Sequence, residues 1–234
     1  MGADGLPSSK ENESNKMNEK PWIEVEIWSD IMCPFCYLGK HRFEKALEQF
    51  YARDKVGVTW KSFQLNPGIV TDASVSIYQY LSQNKGIPFE KAVELNARIT
   101  EEGKQEGLVY DFDKVIVANT FRAHILLHLA KKAGKQGVVK EALFRAFFSE
   151  GRNIDDPAVL KAVAADYGLD PDYLNYSLDD EAINDEVRTD FYEARQLGIN
   201  SVPFFVFNKR YGISGAQDPS LFLQMFNKLT IQNN

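Results

Sequence analysis

The sequence predicts an α/β fold in which a β-α-β opening and a β-β-α ending build one sheet around a long helical insertion. Three observations carry this. Ile23-Glu24-Val25-Glu26-Ile27-Trp28 and Val56-Gly57-Val58-Thr59-Trp60-Lys61-Ser62-Phe63 alternate with period two, while Phe43, Ala46, Leu47 and Phe50 between them recur at helical spacing. From Leu65 to about Val202 the pattern changes to successive amphipathic helices. After that, strand character returns at Phe204-Phe205-Val206-Phe207.

Within the helical stretch, Pro88–Glu106 is rich in helix formers. Val117–Lys132 is apolar on most of its circumference, which predicts a helix covered on several sides. Val139/Ala142/Leu143/Ala146/Phe147, Leu160/Val163/Ala164/Tyr167 and Ile183/Val187/Phe191/Ala194 are further core-facing stripes. Asp156-Pro157, Asp170-Pro171 and Asp218-Pro219 repeat one start signal, a side-chain acceptor at the N-cap followed by proline at the first helical position. At the end of the chain, Asn208-Lys209-Arg210 reads as a turn, Tyr211-Gly212-Ile213 as its partner strand and Ser220–Leu229 as a closing helix. The arrangement is that of a thioredoxin-like fold with a large helical insertion domain. Its expected divisions are a disordered tail over 1–20, a thioredoxin-like domain over 21–70 and 199–234, and the insertion over 71–198.

The 234 residues, 44% hydrophobic, suffice for a real core. Lys plus Arg number 27 against 33 Asp plus Glu, for a net charge of −6, and the basic residues are scattered, which argues against nucleic acid as a partner. No run of about 18 apolar residues is present, so the sequence predicts no membrane helix. Met1–Lys20 is polar and lacks the apolar core of a secretion signal, so the expected location is cytoplasmic, with Met17 as an alternative start. Asn12-Glu13-Ser14 and Asn175-Tyr176-Ser177 match the glycosylation pattern, and without a secretion signal they are read as chance.

The chain's only two cysteines stand in Cys33-Pro34-Phe35-Cys36. A loop this short removes little unfolded-state entropy, so the pair is read as chemistry before architecture. Between a strand and a helix, the first sulfur falls at a helix N-terminus, where free N–H groups and the macrodipole favour a thiolate and are expected to lower the pKa of Cys33. Cys33 is the expected attacking thiol and Cys36 the resolving one, a turn deeper. The competing reading, half of a zinc site, lacks a second cysteine pair, and only three histidines are available. No metal is expected.

Pro203 has two readings, a trans proline opening an edge strand or a cis proline whose neighbour Val202 offers its backbone to an extended substrate; the dithiol favours the second. His124 and His128 share a helical face, and are read as hydrogen-bonded side chains on a buried helix before metal ligands. His41 is expected to face solvent. For Glu26, a proton carrier behind Cys36 and a solvated edge residue stand level. Trp28, Phe35, Tyr37 and Phe204 are expected to form an apolar rim for peptides or hydrophobic small molecules.

Ser29-Asp30-Ile31-Met32-Cys33-Pro34-Phe35-Cys36-Tyr37-Leu38-Gly39, Asn119-Thr120-Phe121-Arg122-Ala123-His124, Gly198-Ile199-Asn200-Ser201-Val202-Pro203-Phe204-Phe205-Val206 and Ser214-Gly215-Ala216-Gln217 together resemble the FrnE-like subfamily of DsbA-type thioredoxin-fold oxidoreductases. The resemblance runs from about Ile23 to Leu229. It implies disulfide exchange with protein or small-molecule thiols or disulfides in the cytoplasm, by a monomer or homodimer, with a redox-active disulfide and no cofactor unless glutathione binds; a glutathione-dependent isomerase or transferase is the alternative. It also implies a cis Pro203, substrate contacts from Val202, Pro203, Pro34 and Phe35, and supporting roles for Asp30, Asn119 and His124 beside Glu26. Two departures matter. Phe35 stands where relatives carry tryptophan or, in periplasmic oxidants, histidine, which implies a less oxidising poise than theirs; and the second cysteine pair of some relatives is missing. The chain is also similar in fold to kappa-class glutathione transferases and 2-hydroxychromene-2-carboxylate isomerases, which use glutathione and place serine near the position of Cys33. Ser214–Asp218, ahead of a helix, is read as a turn and N-cap before a seat for a glutathione carboxylate.

Overall fold

In the computed structural model, residues 21–233 are described. The expected disordered tail and the Asn12 pattern lie outside them. Strand β1 (Ile23–Ser29) leads into helix α1 (Pro34–Gln49), and after a single 3-10 turn (Arg53–Lys55) the chain forms β2 (Val56–Ser62). Seven helices follow: α2 (Ile77–Lys85), α3 (Phe89–Gln105), α4 (Phe121–Lys132), α5 (Gln136–Phe148), α6 (Pro157–Asp166), α7 (Pro171–Ser177) and α8 (Glu181–Gln196). The chain closes with β3 (Phe204–Phe207), β4 (Tyr211–Ser214) and α9 (Pro219–Asn233).

The sheet order is β2-β1-β3-β4, with β1 and β2 parallel and the other two pairings antiparallel. The parallel pair requires a crossover, which α1 supplies, whereas β3 and β4 need only a short turn. That turn places Asn208 and Lys209 at φ of 48° and 54°. Asparagine tolerates this left-handed region, and its side chain accepts a 2.7 Å hydrogen bond from the Glu24 N–H, fastening the hairpin to β1.

Period-two alternation sorts the side chains of the sheet. Ile23, Val25, Ile27, Phe205 and Phe207 point to α1 and α9, where Phe43, Phe50, Phe222 and Phe226 complete one core. Trp28 and Val206 point the other way, toward Ala194 of α8 and Ile199. The larger apolar cluster lies among the helices and takes in Ile31, Met32, Cys33, Cys36, Tyr37, Leu38 and Ile69, with Leu65 packed against it, so the dithiol segment packs with the insertion.

The three Asp-Pro starts form as the sequence predicts: Asp156, Asp170 and Asp218 accept hydrogen bonds from Ala158, Asp172 and Ser220 N–H groups at 2.8, 2.9 and 2.9 Å. The helix expected from Val117 starts only at Phe121. Val117 is held in an isolated antiparallel bridge to Asp72, and Asn119 Oδ1, one residue before the N-cap Thr120, takes the first helical N–H, that of Phe121, at 2.9 Å. Strand β2 stops one residue short of Phe63, at Ser62, whose N–H goes to the Asp190 carboxylate of α8 at 2.8 Å.

Candidate active site

Cys33 is the N-cap of α1 and Pro34 its first helical residue. The Cys36 and Tyr37 N–H groups both return to the Cys33 carbonyl, at 2.9 and 3.4 Å, which closes the first turn and puts the two sulfurs on neighbouring turns. Both are free thiols, 4% and 0% exposed. Cys33 Sγ lies 3.5 Å from the Val202 carbonyl, and the Val202–Pro203 peptide bond is cis.

Gly39 fixes the approach of α1 to that proline. A Cβ there would stand 2.8 Å from Pro203 Cγ and 3.4 Å from Ala216 Cα, so only glycine allows the helix this close. A second small residue acts from outside the motif: Gly103 on α3 leaves the space filled by the Tyr110 ring, whose hydroxyl donates to the Pro34 carbonyl at 2.8 Å.

The electrostatics correct the expectation for Cys33. Its thiol is pushed well above the ordinary range, first by the hydrogen bond with Cys36 and then by burial, with the Asp30 charge adding a smaller push. The physical reason is the shared, buried dithiol: the Cys36 sulfur and the loss of water disfavour a thiolate on Cys33 more than the Cys36 N–H, pulling the other way, favours it.

Other predicted residues separate into those at the dithiol and those away from it. Asp30 is fully buried; its carboxylate accepts the Leu65 N–H at 2.8 Å, and its carbonyl accepts the Cys33 N–H at 3.2 Å. His124, also fully buried, places Nε2 3.5 Å from Asp30 Oδ1, yet neither ring nitrogen makes a hydrogen bond. The expectation of a hydrogen-bonded histidine therefore fails for His124; burial pushes its pKa down and outweighs the pull of Asp30, so the ring is neutral. It holds for His128, which meets Ser62 Oγ, Asp190 and Glu186 at 3.2, 3.1 and 3.3 Å and joins β2, α4 and α8.

Glu26 projects from the sheet face opposite α1 and lines a cleft with Trp28, Glu193 and Lys209, so it does not stand behind Cys36; strand alternation puts it on that side. Asn119 spends its side chain on Ile69, Gln64 and Phe121, bracing the loop before α4. His41 is half-buried and only partly turned to solvent: it lies 3.2 Å from Glu141 and edge-on to the Tyr37 ring. Of the expected aromatic rim, Phe35 is exposed and Phe204 half-buried, whereas Trp28 and Tyr37 are buried, Trp28 donating to the Asp190 carbonyl and Tyr37 to Glu141. At Ser214–Asp218, the Asp218 carboxylate takes the Ser220 N–H, the turn-and-cap arrangement.

Glu141 and Lys140 on α5 were not singled out in sequence. Glu141 accepts from Tyr37 and Lys40 at 2.8 and 2.6 Å. Burial opposes its ionisation, but the His41 hydrogen bond and the Lys40 charge prevail and hold its carboxyl down at about 2. The available signal was two adjacent charges in the middle of a helix with Val138 and Val139 before them and Ala142, Leu143 and Phe144 after.

A thioredoxin-like sheet with a dithiol at the start of the helix after β1 defines a thiol–disulfide oxidoreductase. The family described as DSBA-like thioredoxin domain matches residues 24–227, and the chain belongs to it. A solved structure, a probable DsbA oxidoreductase from Streptomyces coelicolor, is 39% identical and covers 89% of this chain and 90% of its own, with a TM-score of 0.82. The uncharacterized protein YwbO of Bacillus subtilis (strain 168) is 28% identical over 209 residues, 86% of this chain and 94% of its own. A 2-hydroxychromene-2-carboxylate isomerase shares the fold at 17% identity, with a TM-score of 0.67 over 90% of this chain and 97% of its own.

Proposed function

We propose that Cys33 attacks the substrate disulfide, that Cys36 resolves the resulting mixed disulfide, and that the Val202–Pro203 backbone aligns the substrate across the Cys33 sulfur. One observation carries this reading: the Cys33 thiol, at the start of α1, faces the Val202 carbonyl at 3.5 Å. Pro34 and the exposed Phe35 supply the adjoining apolar contact. We place the chain in the FrnE-like subfamily on its four sequence blocks, and in the cytoplasm with that subfamily.

The direction we favour is reduction. A low thiol pKa stabilises the reduced form and makes an oxidant; here the Cys33 thiol is raised and the residue before Cys36 is an uncharged phenylalanine. A reduction potential nearer about −270 mV than about −120 mV is expected in equilibrium with a glutathione or dithiothreitol couple. The deciding experiment is a trap. Cys36→Ser should accumulate a mixed disulfide with substrate and Cys33→Ser should not; Cys33→Ser should also abolish insulin-disulfide reduction. Trapping by Cys33→Ser in place of Cys36→Ser would overturn the assignment.

A further inference from the structure

Lys140 of α5 is buried completely, and its Nζ meets no hydrogen-bond partner. It lies 5.1 Å from the Trp60 ring centroid and 5.2 Å from that of Phe144, two aromatic faces that hold a cation without neutralising it. Phe144 in turn stacks on Tyr37, the neighbour of Cys36, at 4.9 Å, which ties Lys140 to the dithiol helix, and the charges that act on it are those of Cys36, Asp30, Lys40 and Cys33, with His124 of α4 feeling its own. Of these, Asp30 acts only as a standing charge at a distance, its carboxylate being bonded to the Leu65 N–H, Lys40 is itself cationic and paired with Glu44 and Glu141, and His124 is neutral. A buried ammonium without a partner is costly to keep. The neighbours that acquire negative charge only during turnover are the two sulfurs, and the one that is fully buried is Cys36.

We propose that Lys140 is a positioning residue for the resolving step, its buried ammonium stabilising the Cys36 thiolate as that thiolate forms. The inference rests on the dithiol reading above. In the step, the Cys36 S–H bond breaks and its proton passes to solvent. The thiolate attacks Cys33 Sγ; the Cys33–Cys36 bond forms and the bond from Cys33 to the substrate sulfur breaks. The substrate leaves as a thiolate that takes a proton from water, so the dithiol is oxidised by two electrons and the substrate disulfide reduced by two. In a dry, low-dielectric site one fixed cation acts strongly on such an anion. Burial holds Lys140 itself down at about 8, so the charge is present at neutral pH and lost above it.

The test follows the reduced full-length protein against Ellman's reagent, whose chromophore is released once when Cys33 is captured and once more when Cys36 resolves. Lys140→Met keeps the aliphatic stem and removes the charge. It should leave the first phase within about twofold, and slow the second roughly tenfold at pH 7. The gap should close as pH rises past about 8, where the wild-type lysine also becomes neutral. A second phase unchanged at pH 7, or slowed by one factor at every pH, would mark a packing effect and overturn the inference. If Lys140→Met does not fold, Lys140→Gln is judged by the same two criteria. Cys36→Ser serves as the separate control: losing the second phase, it upholds the dithiol reading whatever Lys140 does, and retaining it, the reading itself fails.

Discussion

On its sheet side, helix α1 buries Phe43, Ala46 and Phe50 against Phe205, Phe207, Phe222 and Phe226. These rings stack or meet edge to face at centroid distances of 4.7–5.9 Å. On its other side, the same helix presents Cys36, Tyr37 and Lys40 to the insertion, where Glu141, Lys140 and Tyr110 wait. One side is an apolar clamp that needs only volume and shape. The other holds charges in a buried setting, where each ion pair and hydrogen bond alters the chemistry of a sulfur as well as stability. The helical region is thus more than a lid, because it supplies polar partners that the sheet cannot.

Substitutions can break this division of labour. The largest loss is expected from Phe226→Ala on the sheet side, about 3–5 kcal/mol by urea unfolding. Insulin reduction per folded molecule should be preserved, and a comparable loss of rate would show that the two sides are not separable. Gly39→Ala sits where both sides meet Pro203; its Cβ must push α1 and the proline apart, for about 1–3 kcal/mol and a slower capture of substrate at Cys33.

Glu141→Gln sharpens the contrast through pH. The carboxyl titrates near about 4.3 in the unfolded chain and at about 2 when folded. A depressed carboxyl adds stability that is present above the unfolded value and lost as pH falls through the folded one. The variant should therefore be less stable by about 1–2 kcal/mol at pH 7, and wild type and variant should converge as pH approaches about 2. An equal gap at both ends of that range would assign the effect to packing. The smallest effect on stability is expected at exposed Phe35: Phe35→Ala should shift unfolding by less than about 0.5 kcal/mol, and weaken substrate binding as a rise in KM.

Much of the fold was legible because periodicity is local. The strands at Ile23 and Val56, the stripes of the insertion and the three Asp-Pro starts depend on residues a turn or less apart. The missed helix α2 carried a readable signal as well: Ser76 and Gln79 form a reciprocal capping box. The misplaced start of α4 was different, since Asp72 and Thr71, far back in the chain, hold Val117 and Asn119 out of the helix.

The site divides in the same way. By itself the sequence determined the dithiol, its place between strand and helix, and the proline that would meet it, because two cysteines and a motif can be counted. Which face Glu26 occupied, whether Trp28 and Tyr37 were rim or core, and that the Cys33 thiol was raised were decided only by tertiary structure. Those properties depend on burial and on partners distant in the chain, such as Val202 beside Cys33 and Glu141 beside Tyr37, 169 and 104 residues away. Charge in a protein interior is set by what surrounds it in space, and no spacing along the chain records that.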